Sequence, residues 1–203
     1  MSPSRQYTTA YHEQAGSYER DTAAFQPYRR AVVEALPIQS GDVVLDVGCG
    51  TGLCFDLLRE KAAEVVGIEE SPEMAAVARE RIARAGWDNV TVIQAPAEEA
   101  QVERAADAAL FCAVHDILQS PQALKNIVAT LRPGARVAAG GGKWAAPVLV
   151  ALNSMVSLLH APYVRDFGGF DRPWQRLEPM VEDVQVRELA FGTGFVMTAR
   201  TPA

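Results

Sequence analysis

Only three of the 203 residues are cysteine and three are histidine, and neither set has the spacing of a metal site. Cys49, Cys54 and Cys112 are odd in number, which is no closed disulfide framework, so they read as reduced thiols of a cytoplasmic protein. His12, His115 and His160 include no HExxH pair, and no bound metal is expected. No run approaches the ~18 apolar residues of a membrane span. Residues 1–18 are polar and lack the apolar core and cleavage site of a signal peptide. A basic face is missing too. The net charge of −6 and a pI near 5.1 leave nucleic acid an unexpected partner, since its backbone needs a cationic surface. No clear basic amphipathic helix offers itself to a membrane surface. Repeats, linkers and low-complexity segments are absent.

What remains is a hydrophobic content of 49% and a charged content of 22%, the balance of one globular domain. The run Val43-Val44-Leu45-Asp46-Val47 predicts a strand, and Gly48-Cys49-Gly50-Thr51-Gly52 a tight turn followed by a helix over 53–61. Further strands are expected at 64–68, 90–93, 107–112 and 136–139. A helix runs from the Ser71-Pro72-Glu73 start to Gly86, others span 122–131 and 147–160, and residues 30–36 form one more, stopped by Pro37. Residues 132–134 are read as closing the helix over 122–131. Strands at 184–190 and 195–201, joined by Phe191-Gly192-Thr193-Gly194, make a terminal hairpin. Strand and helix alternate five times before it. The fold class is therefore α/β: a single doubly wound, mostly parallel sheet with helices on both faces and a C-terminal antiparallel hairpin. Ligands of such folds sit outside the carboxyl ends of the strands.

The glycines select among nucleotide-like ligands. A dinucleotide turn needs G-x-G-x-x-G, but the sixth position after Gly48 and Gly50 is Leu53, and the third glycine comes early, at Gly52. No GK[ST] follows, so the turn is not a P-loop. Glu69 follows Gly48 by 21 residues, at the end of the next strand, where a carboxylate can accept hydrogen bonds from a ribose diol.

The run from Val44 to Gly52, together with Gly67-Ile68-Glu69-Glu70-Ser71-Pro72-Glu73-Met74 and Leu131-Arg132-Pro133-Gly134, resembles the motifs of Rossmann-like (class I) methyltransferases of small-molecule type that use S-adenosylmethionine and release S-adenosylhomocysteine. The resemblance covers about residues 40–140 by motif and the rest by layout. It implies that Gly48, Cys49, Gly50 and Gly52 bring backbone groups to the amino-acid end of the cofactor. Asp46 would orient that loop or reach the ammonium through water, Glu69 would hold the ribose, and Ser71 or Met74 would lie near the adenine. Where many relatives have an adenine-binding Asp this chain has Pro96, so the adenine edge falls to the N–H of Ala97, to Glu98, or to water.

The resemblance implies that the residues around the end of the fourth strand, Phe111 to Asp116, would face the methyl group. His115 is the candidate base, against a plain packing role, and Asp116 is read as capping the next helix. Tyr11 and Tyr18 lie seven apart on one helical face. The resemblance gives them a place on an N-terminal lid, with an aromatic face near the sulfonium, against simple core packing. Arg29 and Arg30 read as a solvated face, Glu70 as pointing away from Glu69, and His160 as a helix-end residue. Residues 1–38 are expected to be lid helices and 141–182 a substrate-side insertion within one domain spanning 1–203. The flexible Gly140-Gly141-Gly142 cluster and the aromatic stretch 163–174 suit a lid, a homodimer contact or a core plug. The expected function is methyl transfer to an oxygen or nitrogen of a small-molecule substrate. The alternatives are a nucleotide-dependent oxidoreductase of similar fold and a non-catalytic cofactor-binding or scaffold protein.

Overall fold

The computed structural model describes residues 22–164 and 166–203. Strand β1 (Val43–Val47) is buried along its whole length, and its side chains alternate between two cores. Val43, Leu45 and Val47 enter one core with Phe111, Leu124 and Phe195, while Val44 enters the other with Val32, Phe55 and Leu58. An apolar run of this kind is what a central parallel strand, covered on both faces, requires. Around it lie β2 (Glu64–Glu69), β3 (Val90–Gln94), β4 (Ala106–Cys112), β5 (Leu131–Gly142), β6 (Glu182–Leu189) and β7 (Gly194–Arg200). The order is β3-β2-β1-β4-β5-β7-β6. The first five strands pair in parallel, and β7 is antiparallel to both β5 and β6. The expected doubly wound sheet and terminal hairpin are both present.

The α-helices of the described residues are α1 (Gln26–Ala35), α2 (Phe55–Arg59), α3 (Pro72–Ala85), α4 (His115–Leu118), α5 (Pro121–Ala129) and α6 (Val150–His160), with short 3-10 turns at Ala23–Phe25, Glu178–Met180 and Ala190–Gly192. Local chemistry sets their ends. The Ser71 hydroxyl accepts from the Met74 N–H at 3.3 Å to cap α3, and Gly86 closes it in the left-handed region at φ 67°. Ser120 caps α5 in the same way, through the Ala123 N–H at 3.2 Å.

Two expectations differ. Leu131, read as the end of the preceding helix, and residues 132–134, read as its stop, already belong to β5, where Leu131 pairs with Ala106. Gly140, Gly141 and Gly142 are no flexible cluster but the end of the same strand, paired with Val196, Phe195 and Gly194. They are glycine because neighbours need the space. A Cβ on Gly140 would collide with Val32, and one on Gly142 with the His160 ring.

The two edges of the sheet are treated differently. At the amino ends of the strands, Arg136 bridges Asp42 at 2.8 Å and donates to the carbonyls of Pro37 and Asp107, while the Asp107 carboxylate takes the Val43 N–H at 2.9 Å and pairs with Arg132. At the carboxyl ends the strands open into a cavity. The switch in order between β1 and β4 places that cavity where doubly wound sheets bind ligands.

Candidate active site

The turn after β1 shapes the cavity floor. Gly48 has φ 68°, and a Cβ there would lie 2.6 Å from Val114 Cγ1. Gly50 has φ 56° with no atom within 4 Å of an added Cβ, so its open side faces the cavity. Gly52 does other work: it lines no part of the cavity, and its missing Cβ makes way for the Phe55 ring at 2.5 Å. Glu69 ties the motifs together. Its Oε2 accepts the Gly50 N–H at 2.9 Å and its Oε1 the Ser71 N–H at 2.8 Å. Two backbone donors leave the carboxylate fixed, with lone pairs still free for a ligand diol. Burial raises its pKa, against the pull of those two N–H groups.

The main cavity is about 420 Å³, and Ser71, Met74, Ala97, Glu98, Cys112 and His115 line it along with Gly48, Gly50 and Glu69. Ala97 is buried, and its N–H meets no protein acceptor among the described residues. Glu98 accepts from the Ser120 hydroxyl at 2.6 Å. A side pocket of about 50 Å³ opens from the same glycine loop, lined by Arg29, Asp46, Cys49 and Cys54 with Gly48, Gly50 and Cys112.

Asp46 and Arg29 are the informative pair there. Asp46 is 2% exposed, and its Oδ2 has no hydrogen-bond partner among the described residues. Burial, helped by the Glu69 charge, lifts its pKa to about 7. Arg29, on α1, is 7% exposed. It donates only to the Thr22 carbonyl and the Gln26 side-chain oxygen, with no carboxylate in ion-pair range among the described residues. A buried acid and a buried base thus line one small pocket, each short of a counter-charge. Buried charges are normally paired, so the pocket suits a group that carries both signs.

Past Cys112 the wall changes character. His115 is buried, with Nε2 3.2 Å from the Asp166 carbonyl oxygen and Nδ1 unpartnered among the described residues. Burial lowers its pKa against the raising pull of Asp116. Phe170 lines this end, backed by Trp144 and Phe167, which stack on each other at 5.0 Å and meet Phe170 edge-on at 5.1 and 5.0 Å.

Comparison with known proteins follows this geometry. Residues 44–134 match the model of a family described as a methyltransferase domain. That match covers the glycine loop, Glu69 and strands β1 to β4, and marks a similarity to methyltransferase domains over that segment. A protein-L-isoaspartate O-methyltransferase of Methanoculleus marisnigri is 48% identical over 69 residues, 34% of this chain and 31% of that protein. The chain thus spans only about a third of that relative's length. Among solved structures, a Haloferax volcanii methyltransferase in complex with the Trm112 methyltransferase activator superposes with a TM-score of 0.71 at 15% identity, over 95% of this chain and 98% of that one. Phosphoethanolamine N-methyltransferase 2 of Haemonchus contortus, in complex with S-adenosyl-L-methionine, superposes with a TM-score of 0.68 at 16% identity, over 88% of this chain and 53% of that one. At such identities the likeness is one of fold.

Within residues 44–134 and their flanks, several residues sit differently from expectation. Arg29 is buried, while Arg30 is the solvated one, at 65% side-chain exposure. The signal for Arg29 was available in part: on α1 it shares a helical face with Val32 and Val33, both buried. Glu70 does not turn away from the site but lines the cavity rim, where burial and the charges of Glu98 and Glu99 raise its pKa. Asp116 caps no helix: α4 starts at His115 without a side-chain cap, and α5 uses Ser120. His160 is at a helix end but lies on the cavity, edge-on to Phe170 at 5.4 Å. Trp174 packs on Phe195 in the main core at 4.9 Å, so this part of the insertion is core plug, not lid. Tyr11 and Tyr18 lie outside the described residues.

Proposed function

We propose that this chain transfers a methyl group from S-adenosylmethionine to an oxygen or nitrogen of a small-molecule acceptor. The observation that carries the reading is the side pocket shared by Arg29 and Asp46. An α-amino acid is a zwitterion, and its two charges match a guanidinium with no carboxylate partner and an Asp46 oxygen with no hydrogen-bond partner among the described residues, both beside the glycine loop. Glu69, with free lone pairs on a fixed carboxylate, suits the ribose; the Ala97 N–H and Glu98 suit the adenine edge. The cofactor supplies a methyl group on a cationic sulfonium and leaves as a neutral thioether. The acceptor therefore has to lose its own proton. His115 takes that proton at Nδ1, the ring nitrogen with a buried lone pair.

The whole chain is read as one methyltransferase domain over 1–203, with 1–38 as its lid and 141–182 as the substrate-side insertion. Free thiols at Cys49, Cys54 and Cys112 support a cytoplasmic setting. The net charge of −6 favours a small acceptor over nucleic acid. Among the described residues no helix is long and apolar enough to cross a membrane. An oxidoreductase would need a dinucleotide turn, and the early Gly52 spent on Phe55 does not provide one.

Calorimetry with S-adenosylmethionine and NADH tests the choice. The expected result is binding of the first alone, with Glu69→Ala weakening it by the ~1.5–3 kcal/mol of a charged hydrogen bond. Unchanged affinity in that variant would remove Glu69 from the site.

A further inference from the structure

The end of the cavity farther along from the glycine loop is walled by Phe25 just before α1 and Tyr28 on it, His115 of α4, Val156 and His160 of α6, and Phe170. Both imidazoles meet the Phe170 ring edge-on. The centroid distances are 4.9 Å for His115 and 5.4 Å for His160, with planes inclined at 69° and 70°. A backbone carbonyl sets each tautomer, because a carbonyl can only accept. His115 Nε2 faces the Asp166 carbonyl oxygen at 3.2 Å and carries the proton, which leaves the lone pair on Nδ1. His160 Nδ1 donates to the Val156 carbonyl oxygen at 2.9 Å, which leaves the lone pair on Nε2, lying over Gly142. Neither lone pair meets a protein donor among the described residues.

Among the described residues charge is scarce against Phe170. Asp116 is exposed at the rim, and Asp166 Oδ1 is taken by the Gly168 N–H at 2.8 Å. Lys143 is held by Glu188 at 2.9 Å, and Arg29 belongs to the glycine-loop end. Burial is the main cause that lowers the pKa of both histidines, so both imidazoles are neutral at pH 7. The way in is apolar as well. Met155 and Leu159 line the cavity yet are 49% and 47% exposed, and Leu158 extends the ridge at 77%.

We propose that this end is the pocket of an uncharged, flat, ring-bearing acceptor with phenol- or enol-type hydroxyls, read by His115 Nδ1 and His160 Nε2. The class follows from what the wall offers. Two lone pairs without donors need two polar hydrogens, the aromatic faces need a ring, and among the described residues the wall beside Phe170 offers a charged ligand no free cation and no carboxylate but the exposed Asp116. His160 enters the site here as a specificity-determining residue. The proposal rests on the methyltransferase reading for the word acceptor, but the pocket itself can be tested apart from it.

The test measures binding of naphthalene, 2-naphthol, 2,3- and 2,7-dihydroxynaphthalene and 2-naphthylmethylamine to the full chain, with and without S-adenosylhomocysteine. The better of the two diols should bind about 10- to 100-fold more tightly than naphthalene, from two neutral hydrogen bonds. His160→Phe and His115→Phe keep a flat ring and lose the lone pair. Each should cost the diol roughly three- to tenfold while naphthalene and S-adenosylhomocysteine bind as before. In the unmutated chain the side-chain nitrogen resonances of His115 and His160 should shift with the diol and not with naphthalene. Equal binding of naphthalene and both diols, tighter binding of the amine, or variants that keep the full diol preference would overturn the proposal. If no probe binds while S-adenosylhomocysteine does, the pocket proposal fails and the cofactor reading stands. If the diol preference appears without S-adenosylhomocysteine binding, the pocket stands and the cofactor reading fails.

Discussion

At the glycine-loop end of the cavity, most of the facing groups come from residues 46–74, a stretch that forms β1, β2 and the start of α3. At the Phe170 end they come from α1, α4, α6 and the loop near 170, segments that meet only when the chain is folded. The first end offers backbone turns and charges held in place. The second offers rings, aliphatic side chains and two neutral imidazoles. A ligand with a fixed zwitterion and a diol suits the first, and a ligand recognised by shape and hydroxyls suits the second. One domain can thus keep its donor site rigid and local while its acceptor site is assembled from distant pieces.

The largest effect that would test this contrast is on chemistry. His115→Ala should lower kcat by about 10²-fold or more, the contribution of a positioned base, with a much smaller change in S-adenosylmethionine affinity. Full turnover would return His115 to packing. Next comes the donor end. Gly48→Val puts a branched side chain at φ 68° and against Val114, so urea unfolding should show a loss of ~2–4 kcal/mol together with loss of cofactor binding. An unchanged midpoint would mean that the loop gives more readily than its contacts suggest.

The neighbouring arginines provide a sharper comparison. Arg29→Met should weaken S-adenosylhomocysteine by ~1.5–3 kcal/mol, as loss of a charged partner does. Arg30→Met, at the exposed position, should change it by less than ~0.5 kcal/mol. Equal effects would remove Arg29 from the amino-acid end.

The same contrast explains what was legible in the residue order. Val43 to Val47, Gly48, Gly50, Glu69 and the Ser71 cap sit in a local grammar of strand, turn and cap, where each residue's neighbours dictate its conformation; these were readable. Cys49 and Asp46 were placed by the same motif. Arg29 was misread because two adjacent arginines look alike until α1 is packed against the sheet. His160 was passed over because a residue at a helix end reveals nothing of the cavity that α6 happens to border. Gly140 to Gly142 carry the clearest lesson: three glycines suggest flexibility, but here Val32 and His160 need the room that side chains would fill. Non-local packing decided each of these, and no spacing rule reports it.

The central claim is that Asp46 meets the cofactor's ammonium. With burial and the Glu69 charge raising its pKa to about 7, Asp46 keeps part of its proton near neutral pH in the free protein. An ammonium favours the carboxylate, so binding must release that proton, and affinity must rise as pH climbs toward 7 and level off above it. Without ligand the sign is the reverse for folding. The raised carboxyl holds its proton longer folded than unfolded, and its contribution to stability falls as pH rises from about 4 to about 7. The direct measurement is calorimetry of S-adenosylhomocysteine at pH 7 in buffers of different ionisation enthalpy. The account predicts a measurable proton release from the unmutated chain and markedly less from Asp46→Asn, which binds more weakly. Binding with no proton released, or the same release from Asp46→Asn, would contradict it.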